Sequence, residues 1–456
     1  MWRSLTLRLL RLRLKFMRTE HVKSSPALLS CMLSFSIPVL LAVYWPLTGL
    51  GFTWVPIAVR GGLIATTGLA VILWWKARVT RTERQWAGLL MAYLGLLVIN
   101  SLLATEITRA LQNSIRVLFL LAFCLVLARA FRHPGTRRAF GIGALVASVF
   151  LSVYILGCYV SFLGTALPTY ESTRVFKATV QRVLNVGLNP LGFSTAFFCM
   201  LAACTLRPSW ILNSTLATVI CICSVFTGSR TPLALMIVSF FLVFMIELSR
   251  SKPAFRSICL FVLLPSLIVV CGFELRDGID MPRWSIITEN RTDLWTVAWA
   301  KFTERPLTGY GADSWADDLV SRTPGLYQLT AGLVKYHAGG YHNAYFTLLA
   351  EEGIFVFTFA LYMLVSAYRT LKQLSGSGRQ DRVRRGLLLF SFIFVVLRGF
   401  IEVPGLFGYG EDPAEFACYA LLALIISSAQ NTQIAHRSVI RAHARPLAIA
   451  PMRLAQ

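Results

Sequence analysis

His342 and Asn343 stand together just ahead of a long apolar run, AYFTLLAEEGIFVF. An imidazole at a water boundary can accept a proton, as a general base must. It can equally do no more than cap the helix that follows. Asn343 is open to the same two readings, orienting a substrate or capping. A second candidate is Arg230, within Thr227-Gly228-Ser229-Arg230-Thr231-Pro232. Glycine for the bend, a hydroxyl cap and an early proline make this a tight turn into a helix. The arginine is the odd member, because a helix N-terminus repels cations. Beside free backbone N–H groups it makes an anion site. Arg291 opens a third segment, RTDLWTVAWAKFTERPLTG, and Arg174 and Lys177 lie in PTYESTRVFKATVQR.

Other charges fall inside apolar runs, where each is disfavoured by roughly 2.5–3.5 kcal/mol and is a functional candidate by default. Glu106, Arg109, Asn113 and Arg116 recur at helical spacing on one face. Such a stripe must look into a bundle interior or a wet cavity, where Arg109 and Arg116 are candidate substrate-binding residues. Glu351 and Glu352 lie about 15 Å beyond His342 at the helical rise, at a depth matching Arg116. Pairing of Arg116 with one of these acids would compensate both, which makes a structural role for Glu351 and Glu352 the leading reading and a catalytic one the alternative.

The elements that must position these groups follow from composition. Of 456 residues, 56% are hydrophobic and 14% charged, against about 25% charged in soluble domains. With some 20 apolar residues per span, the chain has room for about twelve membrane helices. They fall near 28–47, 54–75, 86–104, 107–128, 139–165, 187–206, 209–226, 232–248, 256–273, 342–367, 386–402 and 413–429, the first interrupted by Pro38 and Pro46. With both termini cytoplasmic, every short inner loop carries Lys or Arg, as the positive-inside rule requires. The net charge of +23 is thus topological, and no nucleic-acid partner is implied.

The expected fold is an all-α polytopic membrane protein with one large, partly helical periplasmic loop. Residues 1–27 form a basic cytoplasmic segment, either an interfacial helix or an unstructured tail. Spans one to nine occupy 28–273, the loop 274–341, spans ten to twelve 342–429, and a basic cytoplasmic tail 430–456. In the loop, Thr292 is the expected N-cap of a helix presenting Leu294, Ala298, Trp299 and Phe302 on one face and stopped by Pro306 and Gly309. The cysteines lie in or beside the spans, implying neither a disulfide framework nor a zinc site.

Arg174, Arg230, Arg291, His342 and the Glu106–Arg116 stripe then share the outer half of the molecule. A guanidinium binds phosphate oxygens through two parallel hydrogen bonds and keeps its charge. Arginines beside a basic histidine at an outer membrane face suit a lipid-linked phosphate or diphosphate donor.

In these motifs the sequence resembles the O-antigen ligase family. His342-Asn343 followed by Gly353 looks like the family's histidine signature, and TGSRTP and RTDLW look like its two arginine motifs, in the expected order. Gly309-Tyr310-Gly311 also fits. The resemblance covers about 227–357. It implies a glycosyltransferase at the periplasmic face of the bacterial inner membrane, moving O-antigen polysaccharide from undecaprenyl diphosphate to a sugar hydroxyl of lipid A-core. It also implies inversion at the anomeric carbon, with no metal, cofactor or nucleotide. His342 would deprotonate the acceptor while Arg230 and Arg291 clamp the diphosphate. Arg174 and Lys177 are further candidates for that anion by side and charge.

Neighbouring readings differ in acceptor: an O-antigen polymerase, or an oligosaccharyltransferase acting on protein serine or threonine. A membrane transporter is the reading from another class. The lack of internal repeats and the gathering of motif residues at one face count against it.

Overall fold

The computed structural model describes residues 25–49, 79–163, 188–206, 291–312, 341–374, 379–400 and 413–444, with isolated positions between them. The regular elements among these are all helices: α1 (Ser25–Gly49), α2 (Arg81–Leu103), α3 (Ile107–Ala130), α4 (Pro134–Leu163), α5 (Leu188–Thr205), α6 (Arg291–Glu304), α7 (Ala344–Lys372), α8 (Arg379–Arg398) and α9 (Pro413–Ala444). The expected spans near 54–75 and 256–273, most of those near 209–226 and 232–248, and the N-terminal segment lie outside the described residues.

Among the described helices, four are long and apolar enough to cross a membrane: Arg81–Leu103, Ile107–Ala130, Pro134–Ser161 and Ala344–Lys372. Their outward faces are greasy, with Met91, Ile99, Ile115, Val153 and Phe355 all more than half exposed. A soluble bundle would place polar groups there, so these faces are read as lipid-facing. Helix α1 corrects one expectation, since it runs unbroken through Pro38 and Pro46. Packing against α4 and the apolar setting hold it together despite the lost backbone donors.

Most of the buried apolar residues among those described form one large cluster. Helix α9 is its axis, with residues 417–430 almost wholly buried, and it packs on α3, α5, α7 and α2. Edge-to-face pairs tie the neighbours, with Phe123 and Phe416 at 5.6 Å and Phe131 and Phe140 at 4.9 Å. The start of α2 is fixed by a capping box, in which Thr80 accepts from Glu83 N at 3.2 Å and Glu83 accepts from Thr80 N at 3.0 Å. Short connections make α2–α3–α4 run up and down, and α7 and α8 are likewise antiparallel. The His342 end therefore gathers the end of α2, the starts of α3 and α7 and the end of α8. The opposite end gathers the starts of α2, α4 and α8.

Candidate functional site

The site is built around the start of α7. Asn343 caps that helix, its Oδ1 accepting from Tyr345 N and Phe346 N at 3.0 Å each. Its amide Nδ2 donates to Phe400 O at 3.1 Å, while Ala344 N donates to Gly399 O at 2.7 Å. Tyr345 adds a bond from its hydroxyl to Val396 O at 2.8 Å. The last turn of α8 is thereby fastened to the first turn of α7. His342 precedes the cap rather than opening the helix, and its backbone is left-handed at φ 51°. Histidine tolerates that region better than most residues. The ring is half-buried, between fully buried Tyr341 and buried Asn343.

Helix α6 lies alongside. Trp295 meets Phe346 with ring centroids 5.9 Å apart, and Ala298 joins Tyr341 and Ala350 in a buried cluster. From Trp295 against Phe346 to Pro306, whose carbonyl accepts from Ile354 N at 2.8 Å, both chains advance together, so the two helices run parallel. The helix starts at Arg291, one residue ahead of the cap expected at Thr292, which therefore sits in the first turn. Its buried face also differs from the expected one. Lys301 is 1% exposed and Trp299 52% exposed, because Lys301 donates to Ser314 O at 2.8 Å and lies 4.9 Å from the Tyr310 ring. Periodicity could not foresee a buried lysine held by a carbonyl and an aromatic face.

Beyond α6 the chain folds back and inserts into α7. Helix α7 is not continuous, for Gly353 has φ 73° and ψ −177°, a conformation essentially reserved for glycine. The break frees backbone groups, and the turn after α6 satisfies them. Tyr310 N donates to Ala350 O at 3.1 Å, Gly311 N to Glu351 O at 2.7 Å, and Ile354 N to Pro306 O at 2.8 Å. A Cβ on Gly353 would collide with the Leu307 carbonyl, and one on Gly309 with the Glu351 carbonyl. The same turn reaches the α2–α3 connection, where Thr105 Oγ1 donates to Tyr310 O at 3.0 Å.

Below the break sit buried acids. Glu352 accepts from Asn100 Nδ2 of α2 at 2.6 Å, and Glu351 is 1% exposed. Arg116 donates from Nη1 to Asn113 Oδ1 at 2.9 Å. Each of these two charged groups thus has an asparagine among its contacts. In the stripe, Asn113 is buried, Arg109 and Arg116 half-buried, and Glu106 exposed. Arg230, Arg174 and Lys177 lie outside the described residues, and for Arg291 only the backbone is described.

Two residues were missed by the sequence reading. Asn100, a lone amide within a span, holds Glu352. Arg398, inside the expected eleventh span, is 2% exposed with its guanidinium 4.6 Å from the Phe193 ring and 5.3 Å from Phe197. It immediately precedes the two carbonyls that anchor Ala344 and Asn343. The rule that intramembrane ionisable groups are functional candidates would have found it.

Fold and site together define an all-helical membrane protein with a histidine-bearing helix start braced by an amphipathic helix. Residues 215–361 match the family model described as O-antigen ligase. The matched stretch contains Arg230, Arg291, His342 and Gly353, and it supports assigning the chain to the O-antigen ligase family. With that assignment goes a glycosyltransferase-like activity between a lipid-linked glycan donor and a lipid acceptor. No curated protein matches the chain in sequence.

Proposed function

We propose that the chain is a metal-independent O-antigen ligase. It transfers O-antigen polysaccharide from undecaprenyl diphosphate to a sugar hydroxyl of lipid A-core, at the periplasmic face of the inner membrane. His342 removes the proton of the acceptor hydroxyl. The freed oxygen attacks the anomeric carbon of the donor as its bond to the diphosphate breaks, inverting that carbon. Arg230 and Arg291 neutralise the negative charge growing on the departing undecaprenyl diphosphate. Asn343, Arg109, Arg116, Arg174 and Lys177 contribute to substrate binding, and Glu351, Glu352 and Gly353 hold the wall of the cavity.

The observation that carries this reading is the parallel packing of α6 on α7. The register from Trp295–Phe346 back toward the helix starts would bring residue 291 level with residue 342. A cationic helix start and an imidazole would then face one substrate. The left-handed backbone at His342 supports the same reading, since unusual conformations held by surrounding bonds cluster at functional sites.

The test is replacement of His342 in a strain lacking the chromosomal copy, read on lipopolysaccharide gels. His342→Asn keeps a residue that accepts the left-handed backbone, and His342→Ala removes the side chain outright. Both are expected to insert normally and to lower transfer at least about a hundredfold, leaving bare core while undecaprenyl-linked polymer accumulates. Near-normal ligation by either variant removes the base role. Core carrying a single repeat in the deletion strain would instead indicate a polymerase, and an unchanged gel would leave the protein-directed transferase.

A further inference from the structure

At the end of the molecule opposite His342, α4 starts, α5 ends and α8 starts within one small region. Gly141 of α4 abuts Thr205 and Leu206 at the end of α5. Cys204 Sγ and Ser391 Oγ join α5 to α8 at 3.5 Å. Arg137 lies in the first turn of α4 and Arg384 in the second turn of α8, both half-buried. Two guanidinium nitrogens of Arg384, Nε and Nη2, are shut off from solvent with no hydrogen-bond acceptor. Burial first, and the like charge of Arg137 second, lower the Arg384 pKa to about 10, so it stays protonated at neutral pH.

Other arginines at this end are treated differently. Arg129 of α3 and Arg132 just beyond its end have a built-in counter-ion in buried Glu83, at 3.5 Å from Arg129 Nε and in direct contact with Arg132. Arg132 also donates to Gln430 Oε1 at 2.7 Å. For Arg137 and Arg384 the acid nearby is Asp381, which is exposed. Arg384 thus has two buried nitrogens without an acceptor, with the like charge of Arg137 close by, beside two helix starts whose dipoles also favour an anion.

We propose that Arg137 and Arg384 hold the phosphodiester headgroup of one anionic phospholipid, on the leaflet opposite the His342 face. Guanidinium forks fit phosphate oxygens, and basic pockets between membrane helices on the cytoplasmic side recognise such headgroups. The flanking sequences, Thr136-Arg137-Arg138 and Arg382-Val383-Arg384-Arg385, supply further positive charge at the same level. A phosphodiester carries one negative charge, which Asp381 tolerates better than the higher charge of inorganic phosphate. This site is independent of the transfer chemistry proposed above.

The full-length protein is reconstituted in nanodiscs of phosphatidylcholine, with or without phosphatidylglycerol, and its Tm and retained lipids (by native mass spectrometry) are measured. Phosphatidylglycerol is expected to raise the wild-type Tm and to remain bound as a single lipid. Arg137→Gln and Arg384→Gln are each expected to weaken that binding about fivefold, and the double variant to lose the increment. Exposed Arg382→Gln retains it. In phosphatidylcholine alone Arg384→Gln should be at least as stable as wild type, which separates loss of the lipid from loss of the fold. An undiminished increment in the double variant would overturn the site. A wild-type increment reproduced by inorganic phosphate in phosphatidylcholine, and abolished in the double variant, would overturn the lipid assignment.

Discussion

Asn100 and Glu352 make the sharpest single contact between α2 and α7, and it separates two roles for the acid. If Glu352 holds the cavity wall, Glu352→Gln keeps an acceptor for the Asn100 amide, and transfer should stay within a few-fold of wild type. Asn100→Leu leaves a buried carboxylate without that donor and should lower stability by about 1–3 kcal/mol, seen as a lower Tm in detergent. Loss of transfer with unchanged Tm in Glu352→Gln would instead make the acid a participant in the chemistry. At this scale the sequence was informative where a residue's role is local. Asn343 as cap and Pro306 and Gly309 as stops were readable because each acts on backbone a few positions away. The Asn100–Glu352 contact was not readable, for Asn100 lies 252 positions earlier in the chain. Matched depth suggested Arg116 for these acids, but depth fixes only height in the membrane and is silent on azimuth, so it could not point to Asn100.

Among the elements, the broken α7 and the turn that enters it form one unit. Gly353→Ala would force a side chain into both a disallowed backbone region and the Leu307 carbonyl. The expected result is destabilisation on the order of 1–3 kcal/mol or more, read as a lower Tm, with transfer falling in step as α6 loses its seat. An unaltered Tm would mean that the turn does not occupy the break in the membrane. The glycine was visible in the sequence, but the break was not, because an apolar run with one glycine reads as an ordinary helix. What makes the break tenable is a set of amides from residues 310 and 311, and no helical period reports them. Helix α6 was legible as a helix with its stop, yet its covered face was misread. The buried stripe includes Lys301, which hydrophobic periodicity assigns to water.

For the molecule as a whole, the described helices already fix a polarity. The starts of α3 and α7 share one end with the Tyr310 turn, and the starts of α2, α4 and α8 share the other. Basic residues crowd the second end, so the positive-inside rule would put that end in the cytoplasm and His342 outside. Alkaline phosphatase fused after residue 312 should then be active and after residue 374 inactive, with a cytoplasm-dependent reporter giving the reverse. Opposite outcomes would turn the protein over and remove a periplasmic site. Membrane class and the positions of the described helices were legible here because apolar length is a property of each segment alone. Which helix is central was not legible, since α9 reads as apolar as its neighbours and only packing makes it the axis.

The amides that fill the gap in α7 come from the connection outside the core, and this has a bearing on how such proteins can be recombined. A chimera that exchanges residues 274–341 with those of a relative severs three backbone bonds at the seam unless 350–354 travels with them. The natural unit of exchange is therefore the outer connection together with about the first three turns of the helix it feeds. Hybrids cut at that boundary should assemble, where hybrids cut at the membrane surface should not.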